Sequence, residues 1–157
     1  MARPRILCAV RGQPASRSTA QRAIDLSLEK DAELTFLLVI ATAVLTRAAP
    51  LKAPLRVVYQ QLESMGEFSL ALLQDRAQRQ GVEKAATLTR RGMPGEVILE
   101  VVKELSPDIL VLGEPVADEP RAIFKPEEFQ DFVKNLGEAG QVEIVVVETP
   151  GADLPAV

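Results

Sequence analysis

The stretch from Val111 to Phe129, V-L-G-E-P-V-A-D-E-P-R-A-I-F-K-P-E-E-F, has the outline of a phosphate-holding turn: an apolar strand runs into Gly113, a loop follows, and a helix start comes after it. Its charges argue the other way. Glu114, Asp118, Glu119, Glu127 and Glu128 all repel phosphate. Elsewhere the reactive inventory is thin. The chain has no histidine, which removes His-dependent triads, the H-E-x-x-H zinc pattern and the histidine motifs of adenylate-forming transferases. Its single cysteine, Cys8, sits inside the apolar run Ile6 to Val10 and reads as a small buried hydrophobe, not a reactive thiol. One unclustered cysteine and no histidine leave no structural zinc site. Acid/base work would fall to carboxylates, lysines and Tyr59, and no pair of them stands out by spacing. These residues point to a protein that is not an enzyme and that carries no metal.

The elements that would position Gly113 alternate regularly. Arg5 to Val10 is a nearly continuous apolar run, as a strand buried on both faces requires. A helix follows, with Ala20, Ala23, Ile24, Ser27 and Leu28 at helical spacing on one face. Glu33 to Ile40 is a second strand. Ala41 to Pro54, small, apolar and twice interrupted by proline, reads as a long connection that could flap over a cleft. From Leu55 to Gln80 the apolar positions Val58, Leu62, Met65 and Leu72 describe an amphipathic helix, with Gly81 as its stop. Val82 to Thr89 is a weaker strand. Gly92-Met93-Pro94-Gly95-Glu96 opens a helix whose buried stripe is Val97, Ile98, Val101, Val102 and Leu105. Asp108 to Gly113 is a buried strand, the helix from Pro126 presents Phe129, Phe132, Val133 and Leu136, and Val142 to Glu148 is the last strand. With 157 residues, 47% of them hydrophobic, the chain can bury one core. The expectation is one α/β domain over residues 1–149, a doubly wound sheet of five parallel strands with helices on both faces, followed by a tail at 150–157. Ligands of such sheets sit at the carboxyl ends of the strands.

Two segments resemble universal stress proteins. Ile6 to Ile40, I-L-C-A-V-R-G-Q-P-A-S-R-S-T-A-Q-R-A-I-D-L-S-L-E-K-D-A-E-L-T-F-L-L-V-I, is similar to the family's opening: a strand, a short polar turn, an Ala-rich helix and a second strand. Arg90 to Gly113, R-R-G-M-P-G-E-V-I-L-E-V-V-K-E-L-S-P-D-I-L-V-L-G, resembles its middle, with a Gly-x-Pro helix start and an acidic residue leading into the fourth strand. The similarity extends to Thr149. It implies a sheet ordered 3-2-1-4-5, dimers joined through the last strand, and one of two subclasses, members that bind ATP and members that do not. Binders carry G-x2-G-x9-G-[ST] after the fourth strand. Aligned at Gly113, this chain has Val116 at the second glycine, Pro126 at the third and Glu127 at the Ser/Thr. Proline has no N–H to offer, valine adds a side chain where backbone must approach phosphate, and Glu127 and Glu128 place anions at a helix start that would otherwise hold one. Binders usually end the first strand in Asp; here the residue is Arg11.

The cleft equivalent to the family's nucleotide site is therefore formed by Ala9, Val10, Arg11, Ile40, Leu112 and Gly113, and is expected to hold no cofactor; the alternative is ATP or AMP bound through Arg11, Gly113 and main-chain atoms. In the 3-2-1-4-5 order Arg11 and Glu114 emerge side by side and are expected to pair across the cleft mouth. The last strand would be an apolar edge, a liability unless covered, and pairing with a second copy through Val142, Ile144, Val145, Val146 and Val147 is the simplest cover. The expected role is stress-response regulation by protein association, the alternative a nucleotide-responsive switch; a third reading is a regulatory partner of a larger enzyme or transporter. A net charge of −4 gives no field for nucleic acid or an anionic membrane. The basic groupings Arg3, Arg5, Arg17, Arg22 and Arg90-Arg91 lack interleaved aromatics and read as solvated faces paired with acids. No apolar run reaches membrane-spanning length, and Met1 to Pro4 shows no signal-peptide pattern, so a cytoplasmic location is expected.

Overall fold

The computed structural model describes residues 3–10, 16–41, 54–114, 126–140 and 142–148. The element order is β1 (Arg5–Val10), α1 (Ser16–Lys30), β2 (Glu33–Ala41), α2 (Leu55–Gln80), β3 (Ala85–Gly92), α3 (Pro94–Leu105), β4 (Ile109–Gly113), α4 (Pro126–Gly140) and β5 (Glu143–Val147). All five strands are parallel and lie in the order β3-β2-β1-β4-β5. This is the doubly wound arrangement expected from the alternation of strands and helices.

The two-residue period of a strand divides the core into two layers. Ile6, Cys8 and Val10 of β1, Leu34, Phe36 and Leu38 of β2, and Ile109 and Val111 of β4 face α1 and α2. Leu7, Leu37, Leu110 and Leu112 face the opposite way, against Val97, Ile98, Val101 and Val102 of α3 and Phe129 and Leu136 of α4. Register makes the layers continuous: Cys8 is level with Phe36 on one side and Val111 on the other. Cys8 is fully buried in this layer, and burial pushes its thiol pKa up.

The helix ends follow local chemistry. Gly81 adopts φ 113°, and its N–H donates to the Gln78 carbonyl while Val82 N–H donates to Ala77, the paired bonds of a Schellman cap. Pro94 occupies the first turn of α3, where a missing N–H costs nothing. Ser106 closes that helix in the left-handed region, its N–H donating to Val102. Below the sheet, the Asp108 carboxylate accepts from Arg5 N–H at 2.8 Å, and the Arg5 guanidinium donates to Leu105 O at 3.0 Å. The acidic residue ahead of the fourth strand thus ties α3 and β4 to β1.

Three sequence expectations are corrected. Leu28 is 42% exposed, because α1 presents Leu26 instead to the core while Leu28 lies against the Gly81 cap. The buried face of α2 is Gly66, Leu70 and Ala77, with Leu73 packed beside them, and not the stripe through Met65 and Leu72, which faces outward. Gly66 lets α2 approach the sheet closely, since a Cβ there would collide with the Leu38 side chain. Finally, Arg90 and Arg91 belong to β3 and do not merely precede the next helix. The expected Ala41 to Pro54 connection lies, apart from its two end residues, outside the described residues.

Two outcomes are expected. Gly92 has φ 142°, and a Cβ there would sit 2.8 Å from Val97 Cγ2; Gly92→Ala should cost about 1–3 kcal/mol, read as a lowered denaturation midpoint with an unchanged slope. Cys8 should resist thiol reagents in the folded protein and react only on unfolding. Because its folded pKa is raised, its contribution is present in full below the ordinary thiol value of about 8.5 and declines as pH rises beyond it, where only the unfolded chain ionises.

Candidate functional site

The carboxyl ends of β1 and β4 lie side by side at the centre of the sheet, where the chain direction of winding reverses. Val10 closes β1 as a buried residue and Ala9 is half-buried behind it; Ile40 stands near the end of β2, also buried. On β4, Leu112 is buried in the layer against α3 and α4, Gly113 is half-buried, and Glu114 is exposed just beyond it. The structure therefore brings together five of the six sequence-chosen cleft residues, and most of them are apolar side chains serving the core. Gly113 and Glu114 supply main chain at this rim, and the Glu114 N–H is already used, donating to Val147 O at 2.8 Å. Arg11 lies outside the described residues, as does the loop 115–125, and so does the expected Arg11 to Glu114 pairing. Across that loop the chain resumes at Pro126, the first residue of α4, with Glu128 exposed on its opening turn.

Apart from Glu114 at the rim and Glu128 on the opening turn of α4, the described charged pairs lie away from it. Arg3 bonds Glu83 at 2.6 Å and approaches Asp31 at 3.8 Å, pairings that raise its pKa. Arg90 pairs with Glu104 of α3 at 3.3 Å. Arg91 pairs with Glu63 of α2, and its guanidinium carbon lies 4.7 Å from the Tyr59 ring centroid. These contacts pair both basic residues of β3 and set Arg91 over the Tyr59 ring. Among the described residues no cluster of three or more His, Cys, Asp or Glu could hold a metal ion.

The two outer strands differ in kind. At β3, Arg90 and Arg91 stand at the carboxyl end and are fastened to helices on opposite faces of the sheet. Charged side chains at an edge discourage another strand from adding to it. At β5, Glu143 N–H donates to Asp108 O and Val147 O accepts from Glu114, so these residues point their main chain toward β4. In a parallel ladder the alternate residues point the other way. Ile144 and Val146 consequently aim N–H and C=O groups at the open side of the sheet. Val145 and Val147 pack into one core layer and Ile144 into the other, whereas Val146 is 41% exposed. Val142, included in the sequence-chosen edge, is buried beneath α3 and α4 just before the strand begins. What the sequence pattern missed is this division of labour within the strand; the signal lay in the acidic ends Glu143 and Glu148, which mark its limits.

No helix among the described residues is long and apolar enough to cross a membrane. No curated protein matches the sequence. Solved structures do resemble the fold. The universal stress protein UspA from Lactobacillus plantarum superposes with a TM-score of 0.70 at 18% identity, covering 94% of this chain and 99% of that one. A universal stress protein in complex with cAMP gives 0.63 at 17%, covering 96% and 100%. A universal stress protein family member from Arabidopsis thaliana with AMP bound gives 0.60 at 17%, covering 98% and 96%. The sequence model of the universal stress protein family matches residues 2–124, most of the chain and all of it through β4, so this chain belongs to the universal stress protein family.

Proposed function

We propose that this universal stress protein belongs to the subclass that does not bind ATP and acts by association of folded copies through β5, without catalysis and without a cofactor. The observation that carries the reading is the run after β4. Val116, Pro126 and Glu127 stand where a phosphate-binding loop needs two glycines and a hydroxyl. Pro126 opens α4, so the helix start that should present N–H groups to an anion lacks one and is followed by two glutamates. Removing donors and adding like charge both act against a bound triphosphate. The main chain of Ile144 and Val146, unpaired among the described residues, supports the association half of the proposal: a two-fold axis near Val145 would set Ile144 of one copy opposite Val146 of the other, closing the edge with antiparallel bonds. Regulation of a stress response in the cytoplasm, with the homodimer as the working unit, is the role this supports.

A second reading is favoured by the AMP and cAMP held by two relatives of the same fold. A nucleotide with fewer phosphates depends less on the altered loop and could lean on Arg11 and main-chain atoms at Gly113. The protein would then be a nucleotide-responsive switch.

Thermal unfolding separates the two. A ligand at 100 times its Kd stabilises the folded state by about 2.7 kcal/mol, which for a chain of this size moves the midpoint by roughly 5–10 °C. The expected result with millimolar Mg-ATP, AMP or cAMP is no movement; a clear rise that disappears in Arg11→Ala would establish the switch instead. For the association, Val146→Pro removes one outward N–H while keeping every bond to β4, a placement that edge strands tolerate. At about 5 µM, a range in which a standard-size interface holds, light scattering should find a dimer for the parent and a monomer for Val146→Pro, with matching far-UV circular dichroism. A dimeric Val146→Pro would remove β5 from the interface.

A further inference from the structure

Helix α2 carries two apolar stripes. One, Gly66, Leu70 and Ala77 with Leu73 beside them, packs on the sheet. The other runs Val58, Gln61, Met65, Phe68, Leu72, Asp75, Arg79, a 3-4-3-4-3-4 alternation that is the seam spacing of a coiled coil. It lies nearly opposite the first, so the sheet cannot reach it. Met65 and Phe68 are each 67% exposed and Leu72 is 56% exposed. A helix on a single core needs only one such stripe. The seam's polar ends are neutralised locally, since Asp75 and Arg79 bond each other at 2.8 Å. The residues flanking its centre are Leu62, Ser64, Ser69 and Ala71, none charged.

We propose that this seam is a second self-association surface, on which α2 of another copy lies antiparallel about a two-fold axis passing between Gly66 and Glu67. In that register Met65 meets Phe68 of the other copy, twice over, placing thioether sulfur against an aromatic ring. Leu72 then covers the aliphatic part of Gln61. Of the flanking positions, Leu62 lies near Ser69 and Ser64 near Ala71, so no like charges are brought together. This register also sets Val58 against Asp75. Shifting it by one heptad sets Met65 against Asp75 in one direction and against Gln61 in the other, and either shift loses the Met65 to Phe68 match. A nucleic acid or an anionic bilayer would need a basic flank that the seam lacks. A second copy supplies what the seam needs: a helix face with the same spacing that is uncharged from Gln61 to Leu72.

The matched part, Gln61 to Leu72, is about 17 Å long. One helix pair of that length lies below the roughly 800 Å² per partner of a standard interface, so the contact should be weak and concentration-dependent. It lies on the side of the molecule that carries β3, away from β5. Dimers formed through β5 would therefore meet through α2 as dimers of dimers, while copies unable to pair at β5 would still meet pairwise through α2.

The test is molar mass by sedimentation equilibrium from about 5 µM to about 500 µM, spanning weak interfaces, for the parent, Phe68→Glu, the milder Leu72→Gln, Val146→Pro and Val146→Pro with Phe68→Glu. The expected result is a rise in mass with concentration for the parent and for Val146→Pro, weakened on the order of 100-fold by Phe68→Glu and less by Leu72→Gln, with the double variant monomeric throughout. Circular dichroism establishes that each variant is folded; if Phe68→Glu is not, Leu72→Gln carries the test. A parent whose mass does not rise, or a rise that both folded α2 variants retain, overturns the proposal. Loss of mass in Val146→Pro alone bears on β5 and leaves the α2 comparison intact.

Discussion

Every other feature of the molecule depends on the burial of β1 and β4 on both faces. Cys8 and Val111 are level with each other and inaccessible to solvent, with α1 and α2 on one side and α3 and α4 on the other. A strand in that position must be apolar at consecutive residues, must give all its main-chain bonds to neighbours, and must enter and leave the sheet at its ends. The Arg5 to Asp108 bonds fix one end. The other end is where side chains become available for function, and in this chain the described ones there are mostly core residues.

That constraint explains why the altered loop is so informative. The described strands contribute little more than Val10, Leu112 and Gly113 to the rim, so the proposed reading of the site rests on what the sequence places beyond them: Arg11 after β1, and Val116, Pro126 and Glu127 after β4. The same logic separates the two open sides of the sheet. Arg90 and Arg91 stand on one side, each reaching to a helix on a different face; the other side is a strand whose alternate residues have no main-chain partner among the described residues.

Much of this could be read from the sequence because buried parallel strands have an unmistakable pattern. The limits of β1 and α2, the cap at Gly81, the proline start of α3 and its Val97 to Val102 stripe all follow from local chemistry with a single solution. The face of α2 did not, because Val58, Met65 and Leu72 form as regular a helical series as Leu70, Leu73 and Ala77, and periodicity alone cannot say which series meets the sheet. Gly66 was the available clue: a residue without a side chain, level with Leu38, is what close approach of helix to sheet requires. Leu28 misled for a related reason, lying on the correct side of α1 but over the end of α2. In the candidate site, the residues beyond the strands were chosen from the family pattern, and Arg11 and 115–125 lie outside the described residues, whereas the inward and outward assignment within β5 needed the hydrogen bonds of Glu143 and Val147 to fix its phase.

The main-chain pairing proposed along β5 would have a further consequence for selectivity. Amide groups are the same in every strand, so the two outward residues, Ile144 and Val146, can recognise an edge but not an identity. Discrimination between an identical copy and a related chain falls to the one side chain that protrudes, Val146, and to Glu143 and Glu148 at the two ends. Paired in that way, an edge so short and so generic would let chains of this architecture exchange subunits, with the charge at the strand ends deciding which mixtures are preferred.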